Sequence, residues 1–496
     1  MPRKNKMKNK RKVMLINPPQ LSSGEGMRRI MPPLGLLYVG TNLLKRGYNV
    51  DILDSPLEGY DNVEKREGGY VEYGLSDESL KKRVRDSSPD VVGISSSFSA
   101  RHNGAKNISN QVRKITDAPI IMGGLHSNLL AEEIIRQKQA DYVVLGEGEF
   151  RTPDLLDELS EGKIPQTEGI VYSNSGEAIF TGPPSPIKDL DSIPLPDRGL
   201  VDLERYFRIG LPFAPFSKSE RAVQIFASRG CPMSCSFCST KNYWGKYRAR
   251  TVKNVLEEVR DVVEKHDVRE LQFIDDNLTF NKRRSKELFS GLEKFGLNWC
   301  TPNGVMVNTL DKELIEAMAR SGAYQLSFAI ESASERVRRD LIGKRVPPKE
   351  KVRELVSIAR DNGIQVHGLF VLGFPGEAKE EIEASFRYPY EVGFSSVAFF
   401  NLSPLPGSKI LKQCIEKGYV DSGAAQVSNF KTPEIRIPEN SPDYFGFSPE
   451  ELADRIEEET QRFHEASRRE HPEEWEAKFS NFNKIHKSDN LMESIH

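Results

Sequence analysis

The stretch that organises this chain reads Ser228-Arg229-Gly230-Cys231-Pro232-Met233-Ser234-Cys235-Ser236-Phe237-Cys238. It follows a short apolar run of strand length, Val223–Ala227, and it carries its cysteines in C-x3-C-x2-C spacing. Three thiolates on one loop can ligate three irons of a cubane and leave the fourth iron without a protein ligand. We therefore expect Cys231, Cys235 and Cys238 to hold a [4Fe–4S] cluster.

A zinc site is the alternative for these cysteines. Structural zinc sites usually combine C-x2-C pairs with a fourth protein ligand. The two remaining cysteines, Cys300 and Cys414, are distant in sequence, and His266, the nearest histidine downstream, lies at the far end of the following predicted helix. An odd set of five cysteines, three of them clustered, favours metal binding in a reducing compartment over a disulfide framework.

Short strands and helical patterns alternate from Ala222 onward. Six βα units predict a partial (β/α)6 barrel over residues 219–420, whose chemistry sits at the carboxyl ends of the strands. The predicted strands are Val223–Ala227, Glu270–Ile274, Trp299–Gly304, Gln325–Ile330, Gln365–Leu372 and Ser396–Leu402, with helices such as Thr251–His266 and Asp311–Arg320 between them.

Strand-end motifs recur in order after the cysteine loop. They are Leu271-Gln272-Phe273-Ile274-Asp275-Asp276-Asn277, Ala329-Ile330-Glu331-Ser332-Ala333-Ser334, Gly368-Leu369-Phe370-Val371-Leu372-Gly373-Phe374-Pro375-Gly376-Glu377 and Phe399-Phe400-Asn401-Leu402-Ser403-Pro404-Leu405-Pro406-Gly407-Ser408. With the cysteines, they resemble the radical S-adenosylmethionine (SAM) superfamily over roughly residues 221–419. The resemblance implies that SAM binds the open iron and is cleaved reductively to a 5′-deoxyadenosyl radical.

The same resemblance implies SAM contacts for individual residues. Strand alternation places Asp275 and Asp276 on opposite faces, and the register favours Asp276. Each of these residues also has an alternative role. Phe237 could pack in the core, either aspartate could cap a helix, and Lys344 could be a free surface lysine. The implied contacts are Phe237 near adenine, Asp276 on the ammonium group, Glu331 and Ser332 on the ribose, Lys344 on the carboxylate, and Phe370 in the strand along adenine.

The N-terminal half has its own βα rhythm, which predicts a doubly wound, Rossmann-like α/β domain over residues 12–160. Its predicted strands are Val13–Asn17, Val50–Leu53, Val91–Ser95, Ile120–Met122 and Tyr142–Leu145, and its helices include Leu34–Lys45 and Asp77–Asp86. A basic disordered tail over residues 1–11 precedes it. A hairpin and linker over residues 161–218 follow, and residues 421–496 form a helical extension in which Ser448–Arg469 is a charged, solvated cap.

Glycines and serines mark the strand ends of this N-terminal half. The segments Asn17-Pro18-Pro19, Pro32-Pro33-Leu34-Gly35-Leu36, Pro89-Asp90-Val91-Val92-Gly93-Ile94-Ser95, Gly123-Gly124-Leu125-His126 and Gly146-Glu147-Gly148-Glu149 resemble the cobalamin-binding domain of cobalamin-dependent radical SAM enzymes. A ligand outside the carboxyl ends of the strands suits such a sheet. The implied cobalamin contacts are Ser95, Ser97, Gly123, Gly124, His126, Gly146, Glu147 and Gly148.

Two familiar motifs are missing from this half. No G-x-G-x-x-G loop follows the first strand, which argues against a nicotinamide site. The Asp-x-His-x-x-Gly pattern is also missing, since His102 lacks the preceding aspartate and His126 follows a Gly-Gly turn. We therefore expect cobalt to have no histidine ligand from the protein.

Two cofactors in one chain imply methyl transfer. One SAM methylates cobalamin. The radical formed from a second SAM abstracts a hydrogen from an unactivated centre of a small biosynthetic intermediate, and the resulting substrate radical takes the methyl group from methylcobalamin. The alternatives are an oxidative cyclase of the anaerobic Mg-protoporphyrin ester cyclase kind and a non-catalytic cobalamin or redox sensor. No catalytic residue is assigned, and the aromatic candidates for the pocket, equally suited to packing, are Tyr206, Tyr243, Trp244 and Tyr247.

The charge and apolar content of the chain argue against nucleic acid and membranes as binding partners. A net charge of -2 from 70 basic and 72 acidic residues gives no field that favours nucleic acid or an acidic membrane surface. No apolar run reaches the roughly 20 residues that span a bilayer, and no secretory signal is recognised. We expect a cytoplasmic enzyme of a small-molecule substrate, reduced by an external donor such as flavodoxin or ferredoxin.

Overall fold

The structure is a computed structural model that describes residues 11–22, 28–66, 69–210, 212–214, 216–420, 435–473 and 475–476. Except for its last residue, the predicted basic tail lies outside these ranges, as do parts of the predicted C-terminal extension. The described elements form two large sheets, each covered by helices.

A seven-stranded sheet organises the N-terminal half, in the order β10-β9-β8-β7-β6-β1-β3. Its apolar strands are buried on both faces, as parallel strands between helices must be. The elements are β1 (Lys12–Asn17), β2 (Gln20–Ser22), α1 (Leu34–Lys45), β3 (Asn49–Asp54), α2 (Ser55–Glu58), β4 (Val63–Lys65), β5 (Val71–Tyr73), α3 (Asp77–Ser87), β6 (Val91–Ser95), α4 (His102–Arg113), β7 (Ile120–Gly123), α5 (Leu125–Leu129), α6 (Ala131–Arg136), β8 (Tyr142–Val144), α7 (Gly148–Ser160), β9 (Ile170–Asn174) and β10 (Glu177–Phe180).

The five parallel strands run β3-β1-β6-β7-β8, which is the 2-1-3-4-5 order of a doubly wound sheet. The direction of the strand order reverses between β1 and β6. Ligands of such sheets bind outside the carboxyl ends of the strands at that switch point. The crevice that follows Asn17 and Ser95 is therefore the place for a ligand of this half.

Two features differ from the sequence expectation. The predicted hairpin, β9 and β10, was expected to lie outside the first domain, but β9 pairs antiparallel with β8 and extends the sheet. Three short strands, β2, β5 and β4, form a separate antiparallel sheet after the carboxyl ends of β1 and β3. Each has three residues, too few for a periodic pattern to predict them.

A six-stranded parallel sheet organises the second half, in the order β11-β14-β15-β16-β17-β18. The elements are α8 (Leu203–Ile209), β11 (Ala222–Ile225), β12 (Ser228–Arg229), α9 (Thr240–Trp244), β13 (Arg248–Ala249), α10 (Val252–His266), β14 (Glu270–Phe273), α11 (Lys282–Leu292), β15 (Asn298–Val305), α12 (Lys312–Arg320), β16 (Ala323–Glu331), α13 (Lys349–Asp361), β17 (Gln365–Leu372), α14 (Lys379–Val392), β18 (Ser396–Asn401), α15 (Lys409–Glu416) and α16 (Pro449–Glu470).

Alternation along these strands separates a core face from an inner face. Trp299, Phe328 and Phe370 belong to the large hydrophobic core with residues of the helices. On the opposite face, a Cβ at Gly304 would lie 3.5 Å from the Ala329 and Leu369 side chains. The inner face is therefore lined by small and half-buried side chains, which leaves room for a ligand above the strands.

Helix α16 covers the edge strand β18. The Ser448 hydroxyl accepts a hydrogen bond from the Glu451 amide, and the Glu451 carboxylate accepts one from the Ser448 amide, which forms a capping box. Leu452 and Phe463 are buried in the core, and the Ser467 hydroxyl donates to the Ser395 carbonyl at 3.1 Å. The expectation of a solvated cap is wrong, because a few apolar positions suffice to bind the edge of the sheet.

No helix in the described ranges is long and apolar enough to cross a membrane.

Replacement of Phe463 by alanine tests the packing of α16. Phe463 is 3% exposed and meets Tyr390 edge to face at 4.8 Å between ring centroids. We expect Phe463→Ala to lower the free energy of unfolding by about 3–5 kcal/mol, measured by denaturant titration. Phe180→Ala removes a ring that is 52% exposed and should cost below about 0.5 kcal/mol. Equal losses in the two variants would contradict the packing described.

Candidate functional site

The cysteine loop begins with consecutive residues that are bound on two sides. The Ser228 hydroxyl and the Ala227 amide donate to the buried Asp275 carboxylate, the amide at 3.0 Å. The Gly230 amide donates to Asp276. Both aspartates follow β14, so the end of that strand fixes the start of the loop.

Backbone hydrogen bonds hold the far side of the loop. The Ser236 amide donates to the Ile342 carbonyl at 2.8 Å, and the Ser236 carbonyl accepts from the Ile410 amide at 3.0 Å. Gly230 has φ of +79°, and a Cβ there would lie 3.0 Å from the Lys246 carbonyl oxygen. Glycine is required at this position both by its conformation and by the close approach of another backbone segment.

The three thiols are free and half-buried. Within the described ranges, no three His, Cys, Asp or Glu side chains converge closely enough to hold one metal ion. Burial raises the pKa of the Cys235 thiol to about 12, so loading of a cluster must release its proton.

Charged groups lie within electrostatic range of these thiols. Lys344 donates to Glu331 Oε1 at 2.7 Å, and both side chains are 8% exposed. Besides burial, Lys344 and Glu331 act on the Cys235 pKa in opposite directions. Burial, and then Asp275, raise the pKa of Asp276 to about 6. The structure thus brings Asp276, Glu331 and Lys344 to the cysteine loop, and Lys344 is not a surface lysine.

Glu331 adopts an unusual backbone conformation. Its φ is +68°, in the left-handed region that a non-glycine residue seldom occupies. The pairing of β16 with β17 shifts register between Ala329 and Glu331. Strained residues of this kind persist where function requires a particular side-chain direction. The shift turns the carboxylate toward Lys344 at the end of the strand.

An aromatic contact joins the cysteine loop to the loop after β17. Phe237 lies edge to face on Phe374 at 6.0 Å between centroids. The Gly373 and Phe374 amides donate to Glu377 Oε2 at 2.8 and 3.1 Å. Among described residues Glu377 Oε1 has no partner, and burial raises the pKa of Glu377 to about 7. Sequence reasoning assigned no role to this glutamate, although a glycine-rich loop needs such an anchor.

The structure limits one of the predicted SAM contacts to the backbone and disfavours another. Phe370 is fully buried and packs on Phe399 and Tyr388 at 5.1 and 5.9 Å, on the core face of β17. Its side chain therefore faces away from the inner face, and only its backbone can follow a ligand. Ser332 is also fully buried, and its hydroxyl accepts from the Ser334 amide at 3.2 Å. Of the two predicted ribose contacts, Glu331 is the side chain that the structure leaves available.

The predicted cobalamin residues gather at the strand ends of the first sheet. Ser95 ends β6 at the switch point and Ser97 follows it, with their hydroxyls 3.3 Å apart. The Gly123 carbonyl accepts from the Ser96 amide at 2.7 Å. At Gly124, φ is +118° and a Cβ would lie 2.8 Å from the Ser96 carbonyl oxygen. Gly124 is thus needed for the packing of two loops beside the crevice.

His126 is buried beside this crevice. Its Nδ1 lies 2.9 Å from the Ser99 hydroxyl, and its ring stacks on His102 at 4.1 Å. Burial, followed by His102, lowers the pKa of His126 to about 3, so both rings are neutral at physiological pH. Its Nε2 has no hydrogen-bond partner among described residues, a cost of about 1–3 kcal/mol unless a ligand supplies one. A polar cofactor with amide groups fits this position.

Glu147 has a different role from the predicted cofactor contact. Its Oε1 accepts from Arg229 at 2.7 Å, and its Oε2 accepts from Arg248 at 2.7 Å. Since both oxygens are occupied inside the protein, the expectation for this carboxylate is wrong. Gly146, with φ of +64°, donates its amide to the Asn128 side chain at 2.7 Å, and Gly148 begins α7. The two glycines shape the loop that presents Glu147.

Sequence reasoning missed the contacts between the two halves. Arg229 lies in the opening motif but was given no role, and its partners Glu147 and Glu149 precede it by 82 and 80 residues. Tyr206 and Trp244, named as pocket candidates, lie at this boundary too. Tyr206 donates to the buried Asp54 carboxylate, and Trp244 lies 4.9 Å from the Arg229 guanidinium. A signal was present in the pair of glutamates two residues apart at a strand end.

Comparison with known proteins agrees with this division of the chain. The Radical SAM superfamily matches residues 225–388, and the B12 binding domain matches residues 27–156. The chain is 36% identical over 443 residues to cytidylyl-2-hydroxyethylphosphonate methyltransferase of Streptomyces wedmorensis, covering 83% of each protein. It is 25% identical over 460 residues to the anaerobic magnesium-protoporphyrin IX monomethyl ester cyclase of Rubrivivax gelatinosus, covering 91% of this chain and 77% of the cyclase.

The fold is also found among solved structures. The radical SAM methyltransferase TsrM from Kitasatospora setae, with cobalamin and a [4Fe–4S] cluster bound, aligns with a TM-score of 0.66 at 18% identity. The alignment covers 82% of this chain and 75% of TsrM. The arrangement of a B12-binding sheet followed by a radical SAM sheet is therefore shared with that enzyme.

Loss of one cysteine should abolish the cluster. We expect anaerobically reconstituted Cys235→Ala to lack the iron and sulfide content and the visible absorption of the parent, because a remaining pair of thiolates no longer closes the cubane site. Cys300→Ala and Cys414→Ala remove buried cysteines distant in sequence and should retain both. Full iron content in Cys235→Ala would contradict the assignment.

Glu377 gives a pH signature. Its folded-state pKa of about 7 lies above the ordinary 4.5, so the folded protein holds the extra proton. The stabilisation is present below pH about 4.5 and is lost as pH rises through about 7. Glutamine retains an acceptor without a charge, so wild type should lose thermal stability relative to Glu377→Gln between about pH 5 and about pH 8. A Tm difference that does not change with pH would contradict this sign.

Proposed function

Since the chain belongs to the cobalamin-dependent radical SAM methyltransferases, we propose that its methyl acceptor is an anionic small molecule bound between its two domains. The reaction is methyl transfer to an unactivated centre of a small biosynthetic intermediate. A [4Fe–4S] cluster, SAM and cobalamin are its cofactors.

Different side chains of the site are proposed to bind the cluster and SAM. When bound, the cluster and SAM supply a 5′-deoxyadenosyl radical, and cobalamin supplies the methyl carrier. We assign the cluster to Cys231, Cys235 and Cys238. Asp276 offers an acceptor to an ammonium group, while the paired Glu331 and Lys344 offer an acceptor and a cation to the hydroxyl and carboxylate groups of SAM.

Arg29 and Arg101 carry the proposal of an anionic acceptor. In the part of the chain that the structure describes, neither guanidinium has a carboxylate partner. Arg29 donates to the Phe213 carbonyl at 3.0 Å, and Arg101 lies 4.8 Å from the exposed Phe98 ring. Burial lowers the pKa of both groups, which makes each a costly cation until an anion neutralises it.

These arginines lie where a substrate would enter. Arg101 follows β6 at the switch point, and Tyr73 acts electrostatically on both Arg29 and Arg101. Asp54, the acid that acts electrostatically on Arg101, is already bound by Tyr206 and Asn17, and burial raises the pKa of Asp54 to about 6. Arginine recognises phosphate, phosphonate and carboxylate groups in preference to neutral ligands.

The relative from Streptomyces wedmorensis is named for a cytidylyl-linked phosphonate. We propose an acceptor of the same chemical class, an organic phosphonate or phosphate ester, for this chain. The cyclase named above is the second candidate, supported by coverage of 91% of the chain but by a lower identity of 25%. The greater likeness to a methyltransferase, at 36%, favours methyl transfer.

We propose three further features of this enzyme: the curvature of its second sheet, the source of its electron and the closure of its reaction chamber. The six parallel strands are proposed to curve as a partial (β/α)6 barrel, with the inner face above Ala329 and Leu369 as the reaction chamber. A small external protein such as a flavodoxin or ferredoxin is proposed to supply the electron. Closure of the chamber by the first domain would protect a carbon radical from solvent.

Isotope transfer tests the acceptor class. The reconstituted holoenzyme, reduced and supplied with deuteromethyl-SAM, should transfer the labelled methyl group to cytidylyl-linked or free 2-hydroxyethylphosphonate, detected by mass spectrometry. A Cys235→Ala control should give no transfer. Uncharged small molecules are offered as acceptors in parallel. Transfer of the label to these alone would contradict the proposal of an anionic substrate.

The two arginines should act on the acceptor and not on the cofactors. Arg29→Met and Arg101→Met keep bulk but lose a charge-assisted hydrogen bond worth about 1.5–3 kcal/mol, so kcat/KM for the acceptor should fall about 10- to 100-fold. Cobalamin content and SAM cleavage without acceptor should match wild type, as should all properties of the control Arg85→Met. Loss of cobalamin in Arg101→Met would instead assign that arginine to the cofactor.

A further inference from the structure

We propose that Arg229 is a positioning residue that locks the cysteine loop to the strand-end loop of the B12-binding domain and so sets the separation of the two cofactors. The inference rests on the two-cofactor function above and deepens it. Neither the resemblance nor the comparisons give this arginine a role.

One guanidinium, that of Arg229, binds two carboxylates of the B12-binding domain. Arg229 NH1 donates to Glu147 Oε1 at 2.7 Å, and NH2 donates to Glu149 Oε1 at 2.5 Å. The two carboxylates thus receive the two arms of one planar guanidinium. A lysine has a single ammonium group and cannot reproduce this fork.

A second arginine completes the joint. Arg229 in β12 is the cross-strand partner of Arg248 in β13, an arrangement that like charges would normally disfavour. Glu147 resolves it by accepting from Arg248 on its other oxygen at 2.7 Å, while Arg248 also donates to the Trp244 carbonyl at 2.7 Å. One glutamate of the B12-binding domain therefore binds both strands that flank the cluster loop.

Burial makes the joint rigid. The side chains of Arg229, Glu147 and Glu149 are 4%, 1% and 8% exposed. The rings of Trp244 and Tyr38 lie 4.9 and 5.4 Å from the guanidinium, one from each domain. Buried charges of this kind have no alternative partner in solvent, so the structure permits one geometry of the joint.

The joint lies close to both cofactor positions. Only Gly230 separates Arg229 from Cys231, so the two Cα atoms are at most about 7 Å apart. On the other side, Glu147 and Glu149 follow β8 at the carboxyl edge proposed for cobalamin. A second contact also joins the two domains, because a Cβ at Gly407 of the radical SAM domain would lie 2.6 Å from Leu129 of α5. A change at Arg229 therefore moves one cofactor loop relative to the other.

The test measures that separation directly. Holoenzyme containing the cluster and cobalamin is reduced until both are paramagnetic, and pulsed EPR records the dipolar distance distribution between them. The variants are Arg229→Lys, Arg229→Gln and Glu149→Gln. The control is Arg83→Gln, which breaks the Arg83–Asp51 pair, bonded at 2.9 and 3.0 Å entirely within the B12-binding domain.

We expect a narrow distribution for wild type and for Arg83→Gln, and a broadened or displaced one for Arg229→Lys and Glu149→Gln. A misplacement of about 1 Å can cost on the order of 100-fold, so labelled methyl transfer should fall by about 10- to 100-fold while 5′-deoxyadenosine continues to form. If Arg229→Gln does not fold, Glu149→Gln, which keeps the arginine and the Glu147 bonds, still gives the measurement.

The outcomes distinguish a failure of the role given to Arg229 from a failure of the proposed function. Distances in Arg229→Lys and Glu149→Gln equal to wild type, with only a lowered Tm, would reduce Arg229 to a structural role and overturn the inference. A wild-type enzyme with no dipolar coupling, or without bound cobalamin, would instead overturn the proposed function itself.

Discussion

The structure depends on the way that three consecutive residues before the first cysteine are bound to acids from two domains. Ser228 and Gly230 are held by the aspartates after β14, and Arg229 between them is held by glutamates after β8. Strand alternation makes this possible, because neighbouring side chains point to opposite sides. Burial raises the cost of breaking any of these bonds, since the remaining charge would lie unpaired in a dry interface.

The rest of the site extends from this fixed loop. The register shift at Glu331 turns its carboxylate toward Lys344, and the loop after β17 is held by Glu377 beneath Phe374. The C-terminal segment supports that loop, since the Gly376 amide donates to the Asp443 carbonyl at 2.8 Å and Leu452 packs on Gly373. A segment that resembled a solvated tail thus shapes the same side of the site as the cysteine loop.

The sequence was sufficient where periodicity or local spacing carried the information. Leu34–Lys45 and Gln365–Leu372 have the predicted bounds, because their apolar positions repeat at helix and strand periods. It was insufficient where a role depended on a distant partner. A glutamate between glycines at a strand end suits a ligand contact and an ion pair equally well, and Arg229, 82 residues away, decides for the ion pair at Glu147. For Phe370, alternation fixes opposite faces but not which face is inner, so the structure was needed to place its side chain in the core.

We infer that radical initiation and methyl transfer occur in one turnover, between loops held together at Arg229. The most direct measurement is the ratio of SAM-derived products formed by the reduced holoenzyme with its acceptor. The account predicts 5′-deoxyadenosine and S-adenosylhomocysteine in equal amounts, each matching the methylated product. Formation of 5′-deoxyadenosine with the converted substrate but without S-adenosylhomocysteine, as an oxidative cyclase would give, would contradict it.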